Sequence, residues 1–235
     1  GGSRGKVPPK YRHPDDPRDP HMFSDEILID YKKHFSAMVT GVDFGVGQIL
    51  DTLEANGDLE DTLILFGSDH GDACGDHGQV AKSPRYYEPV NHVPLVFHWP
   101  HGLGTKARTV EGLVEMVDVL PTLCGLAGQA PHPAFQGISY AEELLHQESI
   151  TGREDIYAFH GQGEICLRGE RWKYLAYLGK DPVEECLFDL ENDPHEFHNL
   201  AGNSEHKGTL DEMRYRALQR STMASCSPQL RRLRF

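Results

Sequence analysis

From Tyr31 to Gly57 apolar side chains recur at helical spacing, at Phe35, Met38, Val39, Val42, Val46, Ile49, Leu50 and Leu53, and Gly57 supplies a stop. This spacing predicts a long amphipathic helix. Two continuous apolar runs follow, TLILFG at Thr62 to Gly67 and VPLVFHWP at Val93 to Pro100. Each is short, bounded by polar turns and apolar on both faces, as expected of strands buried in a parallel sheet. Further helices are predicted over Glu115 to Leu126 and over Ser139 to His146. The order helix, strand, loop, strand, helix indicates an α/β arrangement.

Beyond Asp155 the texture changes to short segments broken by turns, DIYAFHG, EICLRGERWKYLAYLG and CLFDLENDPHEFHNL. These read as antiparallel strands, with a helix over Glu205 to Met223 to cover one face of the sheet. The tail SCSPQLRRLRF reads as loosely structured. The change divides the chain near residue 152, into an α/β part (1–152) and a small α+β part (153–235).

Composition adds exclusions. Thirty-six acidic residues against 23 basic ones give a formal charge of -13, which argues against a nucleic-acid partner because phosphate binding needs a basic face. No stretch reaches the roughly 18 apolar residues of a membrane span, so the chain reads as soluble with no transmembrane segment. Five scattered cysteines, with no CxxC pair, indicate neither a disulfide framework nor a zinc knuckle. The start GGSRGKVPPKYRHPDDPRDP has no initiator Met and opens in loop-like sequence, which suggests a cut chain.

Reactive side chains are densest in SDHGDACGDHGQVAK, Ser68 to Lys82, directly after the first predicted strand. Ligands of open α/β sheets bind beyond the carboxyl ends of strands, which is where Asp69 and His70 fall. A carboxylate oxygen and an imidazole nitrogen can serve one cation if the backbone turns there, and Gly71 permits the turn. The competing reading is a loop rich in Asp and Gly whose side chains cap the following helix and bind nothing. A second acidic-His-Gly step (Asp76, His77, Gly78) and Lys82 in the same loop favour a site.

The run from Thr62 to Pro100 resembles the sulfatase pattern of the alkaline-phosphatase-like superfamily: a strand, SDHG, a GEHG-like step, a lysine, YE, then VPL and WP. Further segments match in register, namely AMVTGVDFGVGQILDTLEANG upstream and VDVLPTL, GLAG, QGIS, LRGERWKYL and LFDLENDPHEFHNLA downstream. The resemblance implies part of an alkaline-phosphatase-like sandwich with a mostly parallel sheet, then a small antiparallel-sheet domain.

The same resemblance implies that Asp69 and His70 are ligands of a divalent cation, most suitably Ca²⁺, and that Lys82 contacts the sulfate of a sulfate-ester substrate. His70 is the less usual calcium ligand of the two. His77 stands in the GEHG position, at the substrate entrance or in a structural role. His92 replaces an Arg that usually precedes VPL, which makes any ion pair there conditional on protonation.

The family's nucleophile, a formylglycine formed from Cys or Ser in C/S-x-P-x-R, and an early pair of Asp residues are absent from this sequence. SCSPQLRR at Ser225 to Arg232 imitates the motif with its arginine one residue late, and His13 and His21 do not occupy the family's histidine position. The expected partner is therefore a missing N-terminal half of the same enzyme. Alternatives left open are a phosphodiesterase or phosphonate hydrolase of the same superfamily, or a non-catalytic remnant. The residues leave the compartment open, and the family resemblance adds secreted, periplasmic or lysosomal settings as alternatives.

Overall fold

The computed structural model describes residues 24–82, 86–161 and 163–225. Cys226 of the SCSPQLRR imitation, like His13 and His21, lies outside them. Two compact units are present, one ending at Thr105 and the other beginning at Lys106.

In the first unit, α1 spans Asp25–Asn56. Ser24 caps it, its hydroxyl accepting from the Ile27 amide, and Asp25 and Glu26 place negative charge at the positive end of the helix dipole. Gly57, at φ 78, ends it by turning its N–H back to the Glu54 carbonyl. No residue of α1 is buried, although its sequence carries an apolar stripe.

Strand β1 (Ile64–Gly67) and strand β2 (Leu95–His98) form a two-stranded sheet, separated in sequence by α2 (Glu88–Asn91) and followed by α3 (Pro100–Leu103). They pair antiparallel, Ile64 opposite His98 and Gly67 opposite Leu95. Here the expectation of a parallel relation and of burial on both faces is corrected. The connection doubles back through the polar loop and the one-turn α2, so Leu95 returns beside Gly67. A parallel partner would have needed a crossover to the opposite end of the strand. Phe66 is 40% exposed and Val96, opposite it, 52%, whereas Leu95 and Phe97 are half-buried.

The second unit opens with a single 3₁₀ turn at Met116–Asp118, locked by reciprocal side-chain to backbone bonds between Glu115 and Asp118, and continues as α4 (Val119–Leu126) and α5 (Ala141–Leu145). The helix expected over Glu115 to Leu126 is thus one tight turn leading into a shorter α-helix. Strands β3 (Asp155–His160), β4 (Glu164–Gly169), β5 (Trp172–Tyr177) and β6 (Glu184–Asp189) follow as an antiparallel meander in that order. Helix α6 (Lys207–Ser225) packs Leu210, Met213 and Ala217 onto Ile165, Leu167, Tyr174, Ala176 and Leu187. The antiparallel sheet with its covering helix is as expected.

Polar contacts run across the stretch around residue 152. The Arg153 guanidinium forks onto Asp118, Glu115 accepts from the Tyr157 amide at 2.6 Å, and Arg220 joins Glu115 to Asp155. These charges are largely buried and balanced, three carboxylates by Arg153, Arg216 and Arg220. A deeper pair joins β5 to the loop after β6, where Lys173 and Glu196 meet at 2.7 Å with side chains 0% and 1% exposed.

Candidate active site

The polar segment begins where β1 ends. Ser68 donates to the His70 carbonyl at 2.8 Å, bending the chain so that Asp69 and His70 emerge side by side at the strand's carboxyl end. Gly71 then passes under α2, its N–H on the Val90 carbonyl at 2.8 Å. A Cβ there would sit 2.0 Å from the Pro89 carbonyl oxygen, so only glycine lets the chain pass this close.

Asp69 and His70 are brought together. The Asp69 carboxylate takes the His70 amide on Oδ1 at 3.0 Å, and its Oδ2 lies 3.7 Å from His70 Nε2. His70 Nδ1 lies 2.9 Å from the Gly71 carbonyl oxygen. A carbonyl only accepts, so Nδ1 donates to it, and in the neutral ring Nε2 then carries the lone pair on the side of the carboxylate. An oriented imidazole whose second nitrogen is held by a backbone carbonyl is the arrangement that metal-ligating histidines use. Both side chains reach solvent, Asp69 at 87% and His70 at 40% exposure. Among the described residues no cluster of three or more potential metal-ligating side chains is gathered.

The loop beyond is organised by Asp72. One carboxylate oxygen accepts the Tyr31 hydroxyl of α1 at 2.6 Å; the other takes the amides of Cys74 at 2.7 Å and Ala81 at 3.1 Å. The Tyr31 oxygen also accepts from the Ala81 amide at 3.2 Å. Burial, and after it the neighbouring Asp72 carboxylate, push the Tyr31 hydroxyl and the Cys74 thiol each up to about 12. Cys74, His77 and Ala81 all take left-handed backbone angles, at φ 46, 50 and 59. The hydrogen bonds around Asp72 hold this unfavourable path in place.

Lys82 follows Ala81 directly and is exposed. No ion pair joins it to Asp69 among the described residues. His77 stacks flat on the buried Tyr87, ring centroids 3.6 Å apart and planes within 1°. His92 is exposed and lies 3.9 Å from Glu88, one helical turn back. Asp72 and Tyr31 were not picked out by sequence reasoning. They are 41 residues apart, and no local spacing rule links a helix tyrosine to a loop aspartate at that distance.

A strand ending in an Asp-His pair, then a glycine-punctuated loop carrying a lysine, is matched by known families. The family profile described as Sulfatase aligns with residues 6–129, more than half of the chain. The chain belongs to the sulfatase family. A second profile, described as N-sulphoglucosamine sulphohydrolase, C-terminal, aligns with residues 75–222 of this sulfatase-family chain.

Among curated relatives, an arylsulfatase of Clostridium perfringens is 32% identical over 190 residues, covering 78% of this chain and 38% of the relative. A choline-sulfatase of Rhizobium meliloti is 33% identical over 217 residues, covering 85% and 41%. The chain thus spans well under half the length of these relatives. Among solved structures, a 2-O GAG sulfatase superposes with TM-score 0.74 at 28% identity, covering 86% of this chain and 44% of the other. The phosphonate monoester hydrolase of Agrobacterium radiobacter gives TM-score 0.74 at 26% identity, covering 86% and 43%. The fold is therefore that of the alkaline-phosphatase-like enzymes. Among the described residues no helix is long and apolar enough to cross a membrane.

Proposed function

We propose that this chain supplies part of the metal and sulfate site of a sulfuric ester hydrolase, in an enzyme longer than the 235 residues here. The observation that carries the reading is the Asp69–His70 pair: a carboxylate oxygen 3.7 Å from His70 Nε2, with the other ring nitrogen 2.9 Å from the Gly71 carbonyl oxygen. This donor set fits a divalent cation, with Ca²⁺ favoured by the hard carboxylate oxygen. Two protein donors are too few for the roughly six to eight oxygens Ca²⁺ takes, so other ligands must come from the rest of the enzyme.

In this reading Asp69 contributes the negative charge, and His70 a neutral nitrogen presented by the Gly71 carbonyl. Lys82 contacts a sulfate oxygen as a fixed positive charge. His77, held flat against Tyr87, borders the entrance or braces the loop. A bound cation supplies electrostatic stabilisation as charge gathers on the oxygens around sulfur. The nucleophile, a formylglycine by family resemblance, is assigned to the part of the enzyme beyond this chain. The exposed apolar residues of α1, β1 and β2 are where that part would pack.

A second reading has one observation in its favour, the likeness to a phosphonate monoester hydrolase. Both activities would use the same cation and lysine. They separate by measuring kcat/KM of the intact enzyme on an aryl sulfate and on an aryl phosphonate, with Asp69→Ala and His70→Asn beside it. The sulfatase reading expects preference for the sulfate, no turnover in Asp69→Ala and partial turnover in His70→Asn. Preference for the phosphonate would transfer the site to the second reading, and mild equal effects of both substitutions would remove it.

A further inference from the structure

We infer that Tyr31 and Asp72 are positioning residues that fix how far the Asp69–His70 pair stands from Lys82, an inference that rests on the proposed sulfatase site. The loop from Asp69 to Lys82 carries one functional element at each end. Its two ends are tied to a single point. Asp72 lies three residues after Asp69, and its Oδ1 takes the Ala81 amide, immediately before Lys82, at 3.1 Å. The Tyr31 hydroxyl donates to the other oxygen of the same carboxylate at 2.6 Å and accepts from the same Ala81 amide at 3.2 Å. Tyr31, Asp72 and Ala81 therefore close a triangle of hydrogen bonds. A second backbone tie, Ala73 N–H to the Ala81 carbonyl at 3.2 Å, lies alongside it.

The third corner stands on a long helix. α1 runs for 32 residues, and its first turns also contact the loop, since a Cβ built on Gly75 would lie 3.5 Å from Leu28 and 3.7 Å from Lys32. Asp72 takes the amides of Cys74 and Ala81, two of the loop residues in left-handed angles disfavoured for a residue bearing a Cβ, so loss of the triangle removes a restraint at both. Relaxation at Ala81 would swing Lys82 relative to Asp69 and His70. Displacements of about 1 Å in a reacting constellation can cost up to about 10²-fold in rate. Neither Tyr31 nor Asp72 is assigned a contact with substrate or cation, so their effect is on placement.

The test uses the intact enzyme with Tyr31→Phe, Asp72→Asn and the double substitution. Turnover of an aryl sulfate is measured together with amide hydrogen exchange across residues 69–82. Each single substitution is expected to lower kcat about tenfold or more with KM changed less than about threefold, the signature of lost placement rather than lost ground-state binding. The double should be no worse than the worse single, since both break one triangle. Exchange at Cys74 and Ala81 should quicken while the four-stranded sheet keeps its protection.

Unchanged kcat and unchanged exchange in Tyr31→Phe would overturn the inference, as would losses that multiply in the double. If the unsubstituted enzyme turned over no sulfate ester, the functional proposal would fall by itself. Exchange at Ala81 would then decide the clamp, with no quickening in either single substitution counting against it.

Discussion

The two compact units differ in where their apolar side chains go. In the second unit they meet one another: Leu167, Leu175 and Leu187 are fully enclosed, α6 closes one face of the sheet, and balanced ion pairs bind Glu115, Asp118 and Asp155 to three arginines. The first unit carries the candidate chemistry, yet Met38, Val42, Phe44, Leu65, Phe66 and Val96 face outward and no residue of α1 is fully buried. Exposed apolar area of this kind marks a surface built to be covered. The enclosed interior and the candidate site thus lie in different parts of this chain.

The largest effects should separate the two units by stability. Lys173→Met leaves the Glu196 carboxylate without its counter-charge in a site 1% exposed, and should destabilise the second unit by about 3–5 kcal/mol. Adding Glu196→Leu should recover most of that loss, and urea unfolding of the three proteins measures it. If the single substitution is mild, the second unit is not held by its interior in the way described. The mirror experiment is Phe66→Ala in the first unit. In this chain, where Phe66 is 40% exposed, the change should be within about 0.5 kcal/mol. In the intact enzyme, with the face covered, it should cost about 3–5 kcal/mol. Equal small values in both settings would mean that β1 stays uncovered.

A chemical substitution sharpens the contrast further. Lys82→Ala should lower kcat/KM of the intact enzyme by about 10² or more, as loss of one electrostatic donor typically does. The unfolding midpoint should hardly move, because Lys82 is exposed. An unchanged kcat/KM would make Lys82 a solvated surface charge.

The smallest expected effect is on pH dependence, and it belongs to the second unit. The Arg171 guanidinium, with help from Asn192, holds the Asp189 carboxyl down to about 2. A carboxylate depressed in the fold stabilises it above the unfolded value of about 3.9, and that contribution is lost as pH falls from there towards about 2. Urea midpoints taken between pH 5 and pH 2 should therefore fall less steeply for Asp189→Asn than for the unsubstituted chain. Identical slopes would remove Asp189 from the account.

What was legible in the sequence follows the range of the forces involved. Local periodicity revealed α1, α6 and the antiparallel strands, because amphipathic spacing is imposed within a few residues. The start of α1 was read at Tyr31 rather than Asp25 because its first turn is polar. Ser24 followed by Asp25 and Glu26 was a capping signal that could have placed it. The strands β1 and β2 were found, but their pairing and exposure were not, since an apolar run records a need for burial and not whether a cover is at hand. Asp69 and His70 were legible as neighbours at a strand end. The Tyr31–Asp72 contact and the Lys173–Glu196 pair were not. Each joins residues distant in sequence, and a lysine inside WKYLAY gives no sign that it is enclosed.

The central claim is that this chain holds one portion of a sulfatase site and depends on the remainder of the enzyme for the rest. It is tested most directly by measuring aryl-sulfate turnover of Gly1 to Phe235 expressed by itself and of the same chain produced together with the remainder of a sulfatase fold bearing the C/S-x-P-x-R motif. The account predicts no turnover by the isolated chain and measurable turnover by the pair, abolished in Asp69→Ala. Turnover by the isolated chain would contradict it and return attention to Cys226 as a nucleophile.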